Sequence, residues 1–131
     1  AKLLDIKLTS IDKFISRRKR IASLYFKNLK DTDLILPNSK LNRNNHVFHL
    51  FTVMHNKRNM IMKKLRKNGV GTKIIYPYPI NKMNAYRKFF KKKKFPNAEK
   101  YSKMIFSLPI YPELRDNEII NITKIIKKIL K

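Results

Sequence analysis

A chain of 131 residues has room for one domain and enough interior for a real core, so no second domain is expected. With 32 Lys and Arg against 8 Asp and Glu the net charge is +24, and the absence of Cys excludes a disulfide framework, a thiolate metal site and a thiol nucleophile. No apolar run approaches the roughly 18 residues of a membrane span, and the chain reads as soluble and cytoplasmic.

The opening "AKLLDIKL" has the look of the end of an apolar helix, and Thr9, Ser10 and Asp12 supply a start signal for a new one. Ile11, Phe14, Ile15, Ala22, Tyr25 and Leu29 then recur at helical spacing and predict a long amphipathic helix to about Leu29. Pro37 and the polar "NSKLNRNN" predict a connector. The short run "HVFHLFTVM", His46 to Met54, is aromatic and β-branched and predicts a strand. Asn56 is placed to cap a helix carrying Met60, Ile61 and Leu65, with Asn68-Gly69 as its stop.

Val70 to Tyr76 predicts a second strand. It ends in Tyr-Pro-Tyr-Pro, and Pro77 and Pro79 make its exit a stiff loop of the kind on which sites are often built. Ala98 to Met104 predicts a short helix, and "IFSLPIYP" a last short strand ending at Pro109 or Pro112. Asp116 precedes a final helix with Ile119, Ile122, Ile126 and Ile129 on one stripe. The order predicts an α+β layer: a small, about three-stranded sheet covered by helices.

The positive charge invites a nucleic-acid reading. Yet 24 Lys, 17 Ile and 13 Asn against 4 Ala and 2 Gly are the signature of A/T-rich codons, and phosphate recognition favours Arg, of which there are 8. The charge is therefore read as compositional, and Lys91 to Lys94 as a solvated surface loop. Asp31 with Asp33, and Glu113 with Asp116, fall where carboxylates serve as caps. His46 and His49, three apart on a strand, point to opposite faces and make a poor metal pair. Gly69-Val70-Gly71 lacks the rest of a nucleotide fingerprint.

Four segments in order, "RRKRIASLYFKNL", "HVFHLFTV", "RNMIMKKLRKNGVGTKIIYPYPIN" and "FPNAEKYSKMIFSLPIYPEL", closely resemble the C-terminal portion of the DegT/StrS-type sugar aminotransferases. The resemblance implies the small C-terminal domain of a fold type I enzyme that uses pyridoxal 5'-phosphate (PLP) to aminate a keto group on a nucleotide-linked sugar. It implies glutamate as the amino donor and a homodimer in the full-length form. It also implies that residues 1–8 end a helix following a large domain, that 9–131 form the small domain, and that the Schiff-base lysine and most cofactor contacts lie outside this chain. No catalytic or cofactor-binding residue is therefore assigned, and the chain alone is expected to be inactive.

The family segment His-Tyr-Pro-x-Pro-x-His-x-Gln lines the substrate side of the active site. Here Tyr76, Pro77 and Pro79 match it, while Ile75, Asn81 and Met83 stand in for the two His and the Gln. Tyr76 and Asn81 become candidate substrate-binding residues by that resemblance, although Asn cannot carry a proton as His can. His49 matches a frequent family His, with a sheet histidine in a structural hydrogen bond as the alternative. A non-catalytic basic module that binds RNA or another polyanion is the competing function.

Overall fold

A computed structural model describes residues 2–37, 45–91 and 93–131. Two helices open the chain, α1 (Lys2–Leu8) and α2 (Ile11–Leu29). Strand β1 (Phe51–Met54) and helix α3 (Arg58–Lys67) follow, and after a long turn-rich segment come α4 (Pro96–Ser102), β2 (Ile105–Leu108) and α5 (Asp116–Leu130). The predicted connector after Pro37 lies mostly outside the described residues, as does Lys92 of the lysine run.

The helical periodicities are realised as burial. Ile21, Ala22, Tyr25 and Leu29 form the inner face of α2, and Ile119, Ile122, Thr123 and Ile126 that of α5. The two faces pack on each other and on one side of the sheet, where Phe51 and Val53 of β1 stand opposite Leu108 and Phe106 of β2. Tyr25 is buried in this layer 4.9 Å from the Phe51 ring centroid, and its hydroxyl donates to the Pro109 carbonyl at 2.8 Å. Burial raises the pKa of that hydroxyl, so it stays a donor.

Charged side chains fasten the outside of the same layer. Arg17 donates to Asp116 and to the Pro112 and Leu114 carbonyls, and Arg20 also reaches Asp116. Hydrogen bonds from Arg20 and then Arg17 hold the Asp116 carboxyl below the usual carboxylate range. At the start of α5 the Arg115 backbone N–H donates to Glu118 at 2.8 Å, a tie that fixes the first turn.

Three expectations are corrected. Among the described residues the sheet has two antiparallel strands and not three. Val70 to Tyr76 contributes a single bridge, Lys73 to Ser107: on one side Gly71 falls opposite Pro109, which has no N–H to close the next pair, and on the other Ile75 makes no backbone hydrogen bond to Ile105. A matching single bridge, Ile35 to Met54, flanks the other strand. The first strand starts at Phe51 and not at His46, since Phe48 sits in the left-handed region at φ 49° and cannot continue an extended run. Helix α3 starts at Arg58, and Asn56 does not cap it. No side chain caps the helix; the ring of His55 instead fixes the approach to it, its Nδ1 accepting the N–H of Lys57 at 2.8 Å.

The stop of α3 follows the sequence. Gly69 has φ 75°, and the Gly69 and Val70 N–H groups return to the carbonyls of Arg66 and Leu65, which closes the helix in a Schellman turn.

Candidate functional site

From Ile75 the chain leaves the sheet, and Pro79 opens a short 3₁₀ turn over Ile80–Lys82. A second such turn spans Arg87–Phe90. Helix α4 begins with Pro96 in its first turn, where the missing N–H costs nothing. Glu99 of α4 then ties the region together: Asn81 Nδ2 donates to its Oε1 at 3.2 Å, and Lys82 Nζ lies 3.4 Å from the same oxygen. The Asn81 amide is thus oriented by one bond, while its carbonyl oxygen accepts none among the described residues.

Tyr76 and Asn81 line one recess of 540 Å³, with Tyr78, Phe95 and Tyr101 on its walls. Tyr76 is 68% exposed, so its ring is a surface of the recess and no part of the core. His49 is elsewhere. It lines a different cavity of 580 Å³ with Leu4 and Ile11 at the α1–α2 corner, and with Phe14 and Val47. The three residues singled out from sequence therefore fall on two faces, and only Tyr76 with Asn81 share one.

His49 is exposed and outside any strand, which removes its reading as a sheet histidine. Its backbone does structural work: Arg18 Nη1 donates to the carbonyls of His49 at 3.0 Å and Ile110 at 2.9 Å. The buried histidine in a structural pair is His55, whose Nε2 lies 2.8 Å from Oδ2 of the exposed Asp33. Because Nδ1 accepts the Lys57 N–H, the proton of the neutral ring sits on Nε2 and points at that carboxylate. Among the described residues no three His, Cys, Asp or Glu are gathered as metal ligands.

Glu99 was not singled out in the sequence although it anchors the site. Its only signal is position, in the first turn of the helix that "FPNAE" begins, and its partner lies 18 residues earlier.

The profile of the DegT/DnrJ/EryC1/StrS aminotransferase family matches residues 1–127. A dTDP-3-amino-3,6-dideoxy-alpha-D-galactopyranose transaminase of Aneurinibacillus thermoaerophilus is 30% identical over 98% of this chain and 35% of its own length. A UDP-N-acetyl-3-dehydro-alpha-D-glucosamine 3-aminotransferase of Acidithiobacillus ferrooxidans is 35% identical over 86% of the chain and 30% of its own length. Among solved structures, S. venezuelae DesV superposes with a TM-score of 0.89 at 27% identity, over 96% of this chain and 34% of that one. The chain belongs to the DegT/DnrJ/EryC1/StrS aminotransferase family. It spans about a third of the length of the curated relatives it matches.

Aminotransferases of this family depend on PLP. The described residues do not make a site for it on their own. An amine that forms a Schiff base is held desolvated in a pocket, whereas every described lysine is exposed except Lys19, which is half-buried on α2. No step through the cofactor is assigned to this chain. The competing reading as a polyanion-binding module finds no support in the relatives.

Proposed function

We propose that this chain is the small domain of a PLP-dependent aminotransferase that aminates a keto group on a nucleotide-linked sugar. Residues 1–8 end the helix that follows the cofactor domain, and 9–131 form the small domain. The cofactor and its lysine belong to residues outside this chain, glutamate is the amino donor, and the working enzyme is a homodimer. The observation that carries this reading is the family match along residues 1–127, joined to relatives named as nucleotide-sugar transaminases.

Tyr76 and Asn81 stand at the lip of the substrate cleft, where Asn81 offers its free carbonyl oxygen to a sugar hydroxyl of the substrate. The stiffness supplied by Pro77 and Pro79 lets that contact form at modest entropic cost. His49 reaches the substrate side through the second face, the one it shares with α1.

Two measurements test the proposal. The product of the whole reading frame that encodes this chain is expected to bind PLP and to pass the amino group of glutamate to a keto nucleotide sugar. Failure of both overturns the reading. Treated with PLP and borohydride, the 131-residue chain itself is expected to label no lysine preferentially, and a stoichiometric adduct at one lysine overturns the division between the two domains.

A further inference from the structure

A basic recess of 920 Å³ opens beside the one that holds Tyr76 and Asn81, lined by Arg87, Lys88, Lys91, Lys93 and Lys94. The 3₁₀ turn Arg87–Phe90 at its rim sends two adjacent rings in different directions. Phe90 is half-buried and stands edge-on to Phe95, their centroids 5.6 Å apart at 88°, which pins the turn to the start of α4. Phe89, about a third of a turn round, lines neither recess and is 67% exposed. Lys88 Nζ lies 5.1 Å from the centroid of that ring, so a cation and an exposed phenyl group share the crest.

The crest is short of counter-charge. No Asp or Glu stands in the sequence between Asp33 and Glu99, and Glu99 already faces Lys82 and Asn81. Arg87, Lys88, Lys91, Lys93 and Lys94 make no ion pair among the described residues, whereas Arg17 and Arg20 are matched by Asp116, and Arg115 by Glu118. A/T-rich codons account for many lysines and phenylalanines. They do not account for five cations gathered round one exposed ring, where the one nearby carboxylate is engaged. Like charges clustered in this way raise the local concentration of anions.

We infer that this crest docks the protein on an anionic phospholipid surface, with Phe89 entering the boundary between headgroups and acyl chains and the five basic side chains meeting the headgroup phosphates. Aromatic rings settle at that boundary, and lysine stems lie along apolar surface while their ammonium groups stay at headgroup level. Neither signal anchors a protein alone; a basic patch joined to an apolar insertion does so reversibly. A single-stranded nucleic acid, the competing polyanion, runs in a basic groove with the rings stacked inside it, and phosphate forks favour Arg. Here Phe89 lies outside the recess, and Lys88, Lys91, Lys93 and Lys94 stand beside Arg87 alone. The docking face adds a location to the aminotransferase reading and does not depend on it. The lysine run becomes a docking element in place of a merely solvated loop.

The test sediments the full chain at physiological salt with vesicles of phosphatidylcholine alone and with vesicles carrying about 30% phosphatidylglycerol, with oligouridylate as a second polyanion. Partition onto the anionic vesicles is expected to be at least about tenfold stronger than onto the neutral ones. Each basic residue near such a surface strengthens partition about fivefold, so Lys91→Gln/Lys94→Gln should weaken it about twentyfold. Lys127→Gln/Lys128→Gln removes the same charge from the exposed side of α5, which packs on α2 and α3, and should weaken it less than about threefold because salt screens distant charges. Phe89→Ala should weaken vesicle binding severalfold and leave oligouridylate binding unchanged. Equal partition onto neutral and anionic vesicles overturns the inference, as do equal losses from the two lysine pairs, which would mean diffuse charge. Vesicle binding indifferent to Phe89→Ala, or tighter binding to oligouridylate than to the anionic vesicles, overturns it in favour of a general polyanion surface. None of these readouts involves turnover, so their failure leaves the aminotransferase reading standing.

Discussion

Residues 71–103 and the remainder of the chain use apolar side chains in opposite ways. Among the described residues, every buried hydrophobic lies before or after that segment, from Ile21 to Val70 and from Met104 to Ile126. The segment itself buries none, although it carries Tyr76, Tyr78, Tyr86, Phe89, Phe95 and Tyr101. Aromatic content is similar in kind, so it is arrangement that separates them. In the core the apolar residues keep a period of 3.6 or 2 and present one face. Between 71 and 103, prolines, 3₁₀ turns and lysines break any such face, and the rings are left to line recesses. One region spends its apolar surface on stability and the other leaves it at the surface, where the proposed function uses it for recognition.

The largest expected effect sets the two regions side by side. Phe51→Ala, in the centre of the packed layer, should cost about 3–5 kcal/mol of unfolding free energy. Tyr76→Ala, on the exposed loop, should stay within about 0.5 kcal/mol. Urea denaturation followed by circular dichroism measures both, and comparable losses would erase the distinction.

A smaller effect is expected at the border of the two regions, where Gly69 turns the chain out of α3. No atom lies within 4 Å of a Cβ added there, so Gly69→Ala tests backbone conformation alone. The left-handed φ of 75° should make it cost about 1–2 kcal/mol, measured in the same denaturation experiment. A neutral substitution would show that the turn relaxes freely.

Smaller still is the contribution of the outer clasp on the core half. Asp116→Asn removes the negative charge that Arg17 and Arg20 share, and one of the two oxygens that accept from them, and should cost at most about 1 kcal/mol at neutral pH, the scale of a partly exposed pair. The Asp116 pKa is lowered in the folded chain, so its stabilisation is complete above the unfolded value of about 3.9 and fades as pH falls through the folded one. The stability gap between parent and Asp116→Asn should therefore be constant from neutral pH down to about 4 and close below it. A gap that widens on acidification contradicts the assignment.

The core was legible in the sequence because its evidence is local. The isoleucine stripe at 119, 122, 126 and 129 and the α2 pattern ending at Leu29 repeat within one helix, and Asn68-Gly69 carries its own stop signal. What escaped depends on partners far along the chain. His46 to Leu50 has strand composition, but its backbone is shaped by Arg18, some thirty residues earlier, which draws in the Phe48 and His49 carbonyls. The third strand shrinks to the one bridge between Lys73 and Ser107, and at the start of α3 the ring of His55 bonds the Lys57 N–H while Asn56 caps nothing. At the site, the Tyr-Pro-Tyr-Pro motif pointed to Tyr76 and Asn81. Neither the Glu99 anchor nor the basic recess beside them could be read without the fold.

The claim that the unburied segment is the recognition face is tested most directly by steady-state kinetics of Asn81→Ala in the aminotransferase completed with its cofactor domain. The account predicts a KM for the keto nucleotide sugar raised, or a turnover lowered, by about tenfold, the equivalent of roughly 1.4 kcal/mol. PLP binding and thermal stability should be unchanged, and Asn81→His should retain activity. Parental kinetics in both variants would show that the segment takes no part in the site and would contradict the account.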